Sequence, residues 1–293
     1  MQGPVADTII LHQILAVKPN RSLVICDDTY VFVLLCHFVN NGSITGQVKM
    51  RSSKKSTMYI DINATVEAHK EIMNDLLPCH GLTGCDTVAV CYGVGKAKAL
   101  KTLKTGKYPL DALGNTSSST NVILQQATPF MLACFGQPGC SSLTEARQKV
   151  WSAKVARNVG CAPKLESLPP TNEAFLQNVL RAHLQIAIWR KAADRNCPDL
   201  DPEKHGFYRE GNSLKPMTVA PGVTLVPADI LKVIRCGCKS TFPCQRKNCS
   251  CQQAGTACTE FCKCGGATGH CFNAHNDRVN ESGDEDEERD DVN

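Results

Sequence analysis

The chain is poor in aromatic residues, at 5%, with two Trp, five Tyr and nine Phe in 293 residues. A core would therefore rest on Leu, Ile, Val and Ala, and the 42% hydrophobic content allows one of useful size. No apolar run approaches the roughly 20 residues needed to span a bilayer, so a membrane-spanning helix is not expected. The opening Met1-Gln2-Gly3-Pro4 lacks the basic and apolar regions of a secretory leader. A reducing compartment is the expectation, where thiols stay free or bind metal.

Charge is sparse in one place and dense in another. The net charge of +4 hides a tail, residues 281–293, with eight acids against one Arg. The remainder holds 31 basic and 20 acidic residues, a net of +11. A basic body with an acidic tail is compatible with polyanion binding.

Cysteine is abundant and uneven. Nine of the 18 lie within residues 236–271. The others are scattered, and Cys26, Cys36, Cys91 and Cys134 stand in apolar or small-residue contexts that suit buried small hydrophobes.

Residues 1–135 read as α/β. A helix is expected around Thr8–Leu15. Ser22–Cys26 suggests a short buried strand ending in Asp27-Asp28, and Val31–Val39 fits either helix or strand. Gly46–Ile62 reads as a polar hairpin turning near Ser52-Ser53-Lys54-Lys55. Residues 136–228 read as a helical segment followed by an irregular, Pro- and Gly-rich connector from 196. Its clearest helix follows Pro169-Pro170-Thr171. Thr171 can cap it, and Phe175, Leu176, Val179, Leu180, His183, Leu184, Ala187 and Ile188 share one face. His183 is read as a satisfied core histidine. Residues 229–275 form the cysteine-rich module, and residues 276–293 an acidic tail expected to be disordered.

The module runs Cys236-x-Cys238-x5-Cys244-x4-Cys249-x-Cys251-x6-Cys258-x3-Cys262-x-Cys264-x6-Cys271. It resolves into three sub-repeats, each a Cys-x-Cys pair followed by a single Cys, which suggests three metals. Three tetrahedral zinc ions need twelve thiolate bonds, and nine sulfurs supply twelve if three of them bridge. In extended backbone the side chains of Cys-x-Cys diverge, so a pair can serve different ions. Nine thiolates and three Zn²⁺ sum to a charge of −3, which Lys232, Arg235, Lys239, Arg246, Lys247 and Lys263 can offset and still leave a basic rim. A disulfide framework is disfavoured by the odd count and the compartment. A metallothionein-like store would normally lack Phe242, Phe261 and Phe272.

With all nine cysteines, Lys239, Gly255 and Asn273, the module resembles the CXC domain of the tesmin family, found in chromatin and DNA-binding proteins. The resemblance implies DNA binding and a nuclear location, with a cytoplasmic one as the alternative. Asn248 stands where that family usually carries a groove-contacting aromatic, which points away from sequence-specific reading. Lys239, Arg246 and Lys247 remain available for phosphate. Pre-SET segments use a similar cluster as scaffold, so a chromatin protein-interaction module is an alternative role.

A second signature lies at Gly93-Val94-Gly95-Lys96-Ala97-Lys98-Ala99. The glycines permit a tight turn, and a helix starting there would offer free N–H groups to a phosphate. Gly93, Gly95, Lys96 and Lys98 are the candidate contacts of a helix-hairpin-helix. With Gly84-Cys85-Asp86 and Asp27-Asp28-Thr29-Tyr30, this order resembles the flap endonuclease/XPG branch of PIN-like nucleases. With Pro169-Pro170-Thr171, Ile188-Trp189-Arg190 and the CXC module, the whole chain resembles uncharacterised animal proteins derived from mobile elements. That resemblance implies a truncated PIN-like domain over residues 1–135. Asp7, Asp28 and Asp86 match the metal-binding acids of such nucleases, while Val5 and Tyr30 replace expected acids and the first strand is missing. Asp27 adjoins the site, but strand alternation predicts that its side chain points the other way. Two-metal cleavage needs several carboxylates converging on ions about 4 Å apart. The expectation is a DNA-binding, nuclease-like domain without activity. The alternative is a structure-selective nuclease using Mg or Mn.

Overall fold

A computed structural model describes residues 5–54, 57–157, 164–194, 199–222, 235–245, 248–259, 262–266 and 271–273, with side chains from Ile9 onward and without that of Arg157. Arg246, Lys247, the side chain of Asp7 and the acidic tail lie outside the described residues. The chain forms two compact units, Met1–Pro221 and Gly222–Asn293.

The first unit mixes helices with small sheets. It starts with α1 (Val5–Val17), β1 (Arg21–Ile25), α2 (Thr29–Asn40) and β2 (Gln47–Arg51). β1 and β2 are parallel, so α2 is the crossover of a βαβ unit. The run that fits either helix or strand becomes helix, because Asp28 caps it: the Asp28 Oδ1 accepts from Tyr30 N at 2.8 Å. Tyr30, Val31, Val33, Leu34, Leu35, Cys36 and Phe38 are all buried on α2. β3 (Tyr59–Asp61) pairs antiparallel with β2, giving the expected hairpin, with Lys49 opposite Asp61. The sheet order β1-β2-β3 leaves β1 at an edge. Only Val24 of β1 is fully buried and Leu23 and Ile25 are exposed, so the expected buried strand is half solvated.

Four helices follow: α3 (Ile62–Ala68), which packs on β2 and β3, then α4 (Met73–Leu82) on α2, α5 (Lys96–Leu103) on α4 and α6 (Thr120–Cys134) on α5. Two more follow, α7 (Leu143–Arg157) and α8 (Asn172–Arg190). Thr171 caps α8 as expected, its Oγ1 accepting from Ala174 N at 3.2 Å. α8 packs on α4 within the same core as α2. Ile186 sits in a notch made by two glycines. A Cβ on Gly81 would lie 2.7 Å from Ile186 Cγ1, and one on Gly114 2.3 Å from Ile186 Cγ2.

The buried face of α8 differs from the expected one. The stripe joining the core is Phe175, Val179, Ala182, Ile186 and Trp189, while Leu176, Leu180 and Ile188 are only half-buried. Surrounding structure covers the helix on nearly all sides, so polar positions are buried too. Four of them, Gln185, Asn178, His183 and Arg181, hold hydrogen bonds. Gln185 Oε1 accepts from Thr87 Oγ1 at 2.7 Å, and Asn178 Nδ2 donates to Ala89 O at 3.3 Å. His183 Nδ1 accepts from Gly114 N at 3.1 Å, the satisfied core histidine that was expected. Arg181 donates to the carbonyls of Gly206 (3.0 Å) and Met217 (2.6 Å). Those carbonyls flank a hairpin, β4 (Phe207–Glu210) with β5 (Ser213–Pro216). The predicted irregular connector thus contains ordered sheet, pinned to α8 by a buried guanidinium.

Among the described residues of the second unit, the regular structure is one turn of helix, α9 (Ser250–Gln253). Among its described residues the buried ones are seven cysteines, Cys236, Cys244, Cys249, Cys251, Cys258, Cys262 and Cys271, with Pro243 and Gly266, and Cys238 and Cys264 pack against the sulfur cluster.

Candidate metal centre and strand-end cleft

In the second unit all nine cysteines converge. Cys236 Sγ lies 3.6 Å from Cys244, 3.8 Å from Cys258 and 3.7 Å from Cys264. Cys249 and Cys244 are each 3.7 Å from Cys258, and Cys251 is 3.6 Å from Cys262. Four sulfurs at about 2.3 Å from one zinc sit at the corners of a tetrahedron whose edges are about 3.8 Å. The separations therefore match thiolates sharing metal ions. They are far longer than the roughly 2.05 Å of a disulfide.

Three four-cysteine sets have all their sulfurs close enough to hold an ion: 236/244/258/264, 236/249/251/258 and 236/238/244/249. The sets overlap. Cys244, Cys249 and Cys258 each belong to two sets, and Cys236 to all three. Overlap of this kind is what bridging sulfurs require. The cluster can bind metal, and an all-thiolate donor set suits zinc.

The backbone frame is knitted across the cluster. Lys263 N donates to Cys236 O at 3.1 Å, Cys258 N to Asn273 O at 2.6 Å and Phe272 N to Pro243 O at 3.1 Å. Asn273 Nδ2 donates to Thr256 O at 2.9 Å and reaches Cys258 Sγ at 3.4 Å. Cys244 takes a left-handed conformation, φ 65°. Such backbone is uncommon for a non-glycine residue and is retained here where the thiol must reach its neighbours. At Cys249 and Cys264 burial opposes ionisation, but hydrogen bonds from Gln252 N and Gly266 N and from neighbouring thiols outweigh it and draw each down to about 7. Burial pushes Cys236 up to about 12 and Cys244 higher still. Thiols with such unequal proton affinities must release protons as metal enters.

In the first unit a cleft of about 500 Å³ opens where β1 and β2 end, lined by Cys26, Asp27, Asp28, Phe32, Ser52 and Met58, among others. The carboxyl ends of parallel strands are where α/β sheets place ligands. Asp27 and Asp28 both line the cleft, so the expected alternation does not separate them: β1 has already ended at Ile25. Each acid is engaged. Ser52 Oγ donates to Asp27 at 2.5 Å, and Ser53 binds the same carboxylate through its N–H and its hydroxyl. The Ser52 and Ser53 hydroxyls hold the Asp27 carboxyl below its ordinary range. Asp28 caps α2.

The His80 ring sits 6.4 Å from Tyr30 and 6.1 Å from Trp189. Burial, followed by the charge of Lys96, lowers His80 to about 4, with Asp28 opposing. Tyr30 is a buried aromatic 4.6 Å from Trp189, and Asp86 stands at the exposed tip of a turn closed by Cys85 and Val88. Among the described residues, the groups of three or more side chains fit to hold a metal are all cysteine sets, and Asp28 and Asp86 belong to none.

The Gly-x-Gly segment leads into α5, with Gly95 as its N-cap. Gly93 has φ +73° and open space around a notional Cβ, so its conformation, and not crowding, calls for glycine. Lys96 folds back from α5. Its Nζ donates to His80 O and Gly84 O at 2.5 Å each and to Thr83 Oγ1 at 3.2 Å, closing the C-terminal turn of α4. Lys98 is exposed, with one weak bond to Gly93 O at 3.3 Å. Of the scattered cysteines, Cys36, Cys79 and Cys134 are buried and Cys26 and Cys91 half-buried. Burial pushes Cys36 and Cys79 up to about 12 and Cys91 to about 11, which keeps these thiols neutral and unreactive.

No protein-family model, curated protein or solved structure matches this chain. Among the described residues, no helix is long and apolar enough to cross a membrane. Sequence reasoning found the nine thiols and singled out Phe242 and Phe272, but not that they pair, their rings 6.1 Å apart. Their separation in sequence hides the pairing, and the backbone bond from Phe272 N to Pro243 O joins the two segments.

Proposed function

We propose that this chain is a nucleic-acid-binding protein whose C-terminal module is a three-zinc, nine-cysteine anchor. One observation carries the reading: among the described residues the hydrophobic cluster of that module is made of cysteines, which supports metal–sulfur bonds in place of an apolar core. Three overlapping four-sulfur sets support three ions held partly by shared thiolates. Arg235, Lys239 and Lys263 are exposed around the cluster, against which a polyanion can seat. DNA is the partner favoured by the resemblance to CXC modules, and the nucleus the matching location. A scaffold for chromatin proteins is the competing role for the same cluster.

The first unit is proposed as a nuclease-like body without cleavage activity. Mg or Mn chemistry would need free converging carboxylates, and Asp27 and Asp28 already serve Ser52, Ser53 and the cap of α2. The deciding experiment is DNA binding by the zinc-loaded full chain across a salt series. Affinity should fall steeply with salt, and Lys239→Gln and Lys263→Gln should each lower the logarithmic slope by about one. A salt-independent affinity, or none, would leave the scaffold role in its place. Incubation of flap and single-stranded DNA with Mn²⁺ should give no product. Cleavage that Asp86→Ala abolishes would overturn the inactive reading.

A further inference from the structure

Phe242 and Phe272 are 61% and 58% exposed, with rings 68° apart in plane. Neither belongs to the sulfur core, so neither is needed to fill it. Both stand on anchored loops, Phe272 through its bond to Pro243 O and Asn273 through its bonds to Thr256 and Cys258. A rigid, exposed aromatic pair of this kind holds its ring faces ready for a flat partner.

Beside Phe242 opens a concavity of about 590 Å³, lined by Lys239, Ser240, Thr241, Gln245 and Asn248 as well as Cys238 and Cys244. That size falls within the range of about 300–1,000 Å³ usual for small-ligand sites. Among the described residues its walls combine an aromatic face, two hydroxyls, two carboxamides and one cation, and no carboxylate lines it. Carboxamides pair with base edges, a ring stacks on a base, and an ammonium pairs with phosphate. In a duplex the faces of the bases are covered by their neighbours, and only an unstacked base can offer its face to a protein ring.

We propose that this concavity binds an unstacked base of a single-stranded nucleic acid. The base stacks on Phe242, Gln245 and Asn248 meet its edge, and Lys239 takes the neighbouring phosphate. Phe272, edge-on to Phe242, holds that ring in place. The proposal rests on the nucleic-acid reading above and specifies the form of nucleic acid that the zinc module takes.

The test is fluorescence anisotropy of the zinc-loaded full chain with a labelled oligothymidylate and with a blunt duplex of equal length, at one salt concentration. The single strand should bind more tightly. Phe242→Ala should weaken it about tenfold and leave duplex binding almost unchanged, and Phe242→Trp should restore it. Zinc content is measured on each variant. If Phe242→Ala loses zinc, Asn248→Asp takes its place, since it puts a carboxylate in the concavity without touching a thiol. Tighter binding of duplex, or single-strand affinity indifferent to these changes, would overturn the base-binding proposal alone. Binding of neither nucleic acid would overturn the broader reading as well.

Discussion

Replacing Lys96 by Met should destabilise the first unit, because the lysine holds the end of α4 together. Its Nζ bonds the carbonyls of His80 and Gly84 and the hydroxyl of Thr83, and Met keeps the aliphatic stem but removes all three bonds. A hydrogen bond from a charged donor contributes about 1.5–3 kcal/mol when buried, and solvent at the exposed side chain reduces that, so the expected total is about 2 kcal/mol. For a unit of this size the loss corresponds to a fall in melting temperature of about 4–8 °C. Thermal unfolding followed by tryptophan fluorescence is the assay. Trp151 and Trp189 both lie in the first unit, and Trp189 packs against Tyr30 and His80. Lys98→Met is the control: with a single bond at 3.3 Å to Gly93 O it should cost well under about 1 kcal/mol. An unchanged midpoint for Lys96→Met, or equal losses for the two variants, would refute the capping role. It would also return Lys96 to the set of cations free to meet phosphate.

Three further outcomes are expected. Gly114→Ala should destabilise by about 2–4 kcal/mol in urea unfolding, since φ is +75° and the new Cβ would meet Ile186 at 2.3 Å; a change under about 1 kcal/mol would mean that α8 can shift. The first unit should lose stability as pH falls from about 6.5 to about 4. Burial depresses His37, His80 and His183 each to about 4, so the unfolded chain binds more protons throughout that window. The loss should be a few kcal/mol in all, read as the urea midpoint against pH, and a flat profile would contradict it. Thr171→Ala should cost about 1 kcal/mol by removing the cap of α8, and a neutral effect would show that packing alone sets that boundary.

What could be read before the structure follows a physical pattern. The thiol cluster is legible because metal ligands impose spacing on the chain itself, and nine cysteines in three sub-repeats have no common alternative explanation. The Thr171 cap and the hairpin of β2 and β3 are legible because both are local. The buried face of α8 is not, since neighbours on several sides supply partners for Arg181, His183 and Gln185, and burial there follows hydrogen bonding more than hydropathy. Asp28 is legible as an acid at a strand end, but its use as a cap depends on α2 starting at Thr29, two residues before the apolar run Val31–Val39. Lys96 looks like a phosphate contact in sequence because the three oxygens it serves lie 12–16 residues earlier and meet it only when α5 folds back on α4. The pairing of Phe242 with Phe272 is hidden for the same reason.

The most direct measurement is the metal content of the purified full chain by native mass spectrometry. The account predicts three zinc ions per chain and nine fewer thiol protons than in the metal-free protein, since nine sulfurs can complete three tetrahedra only by bridging. Two ions, each held by four separate cysteines with one left over, or a metal-free module that keeps its fold, would contradict it.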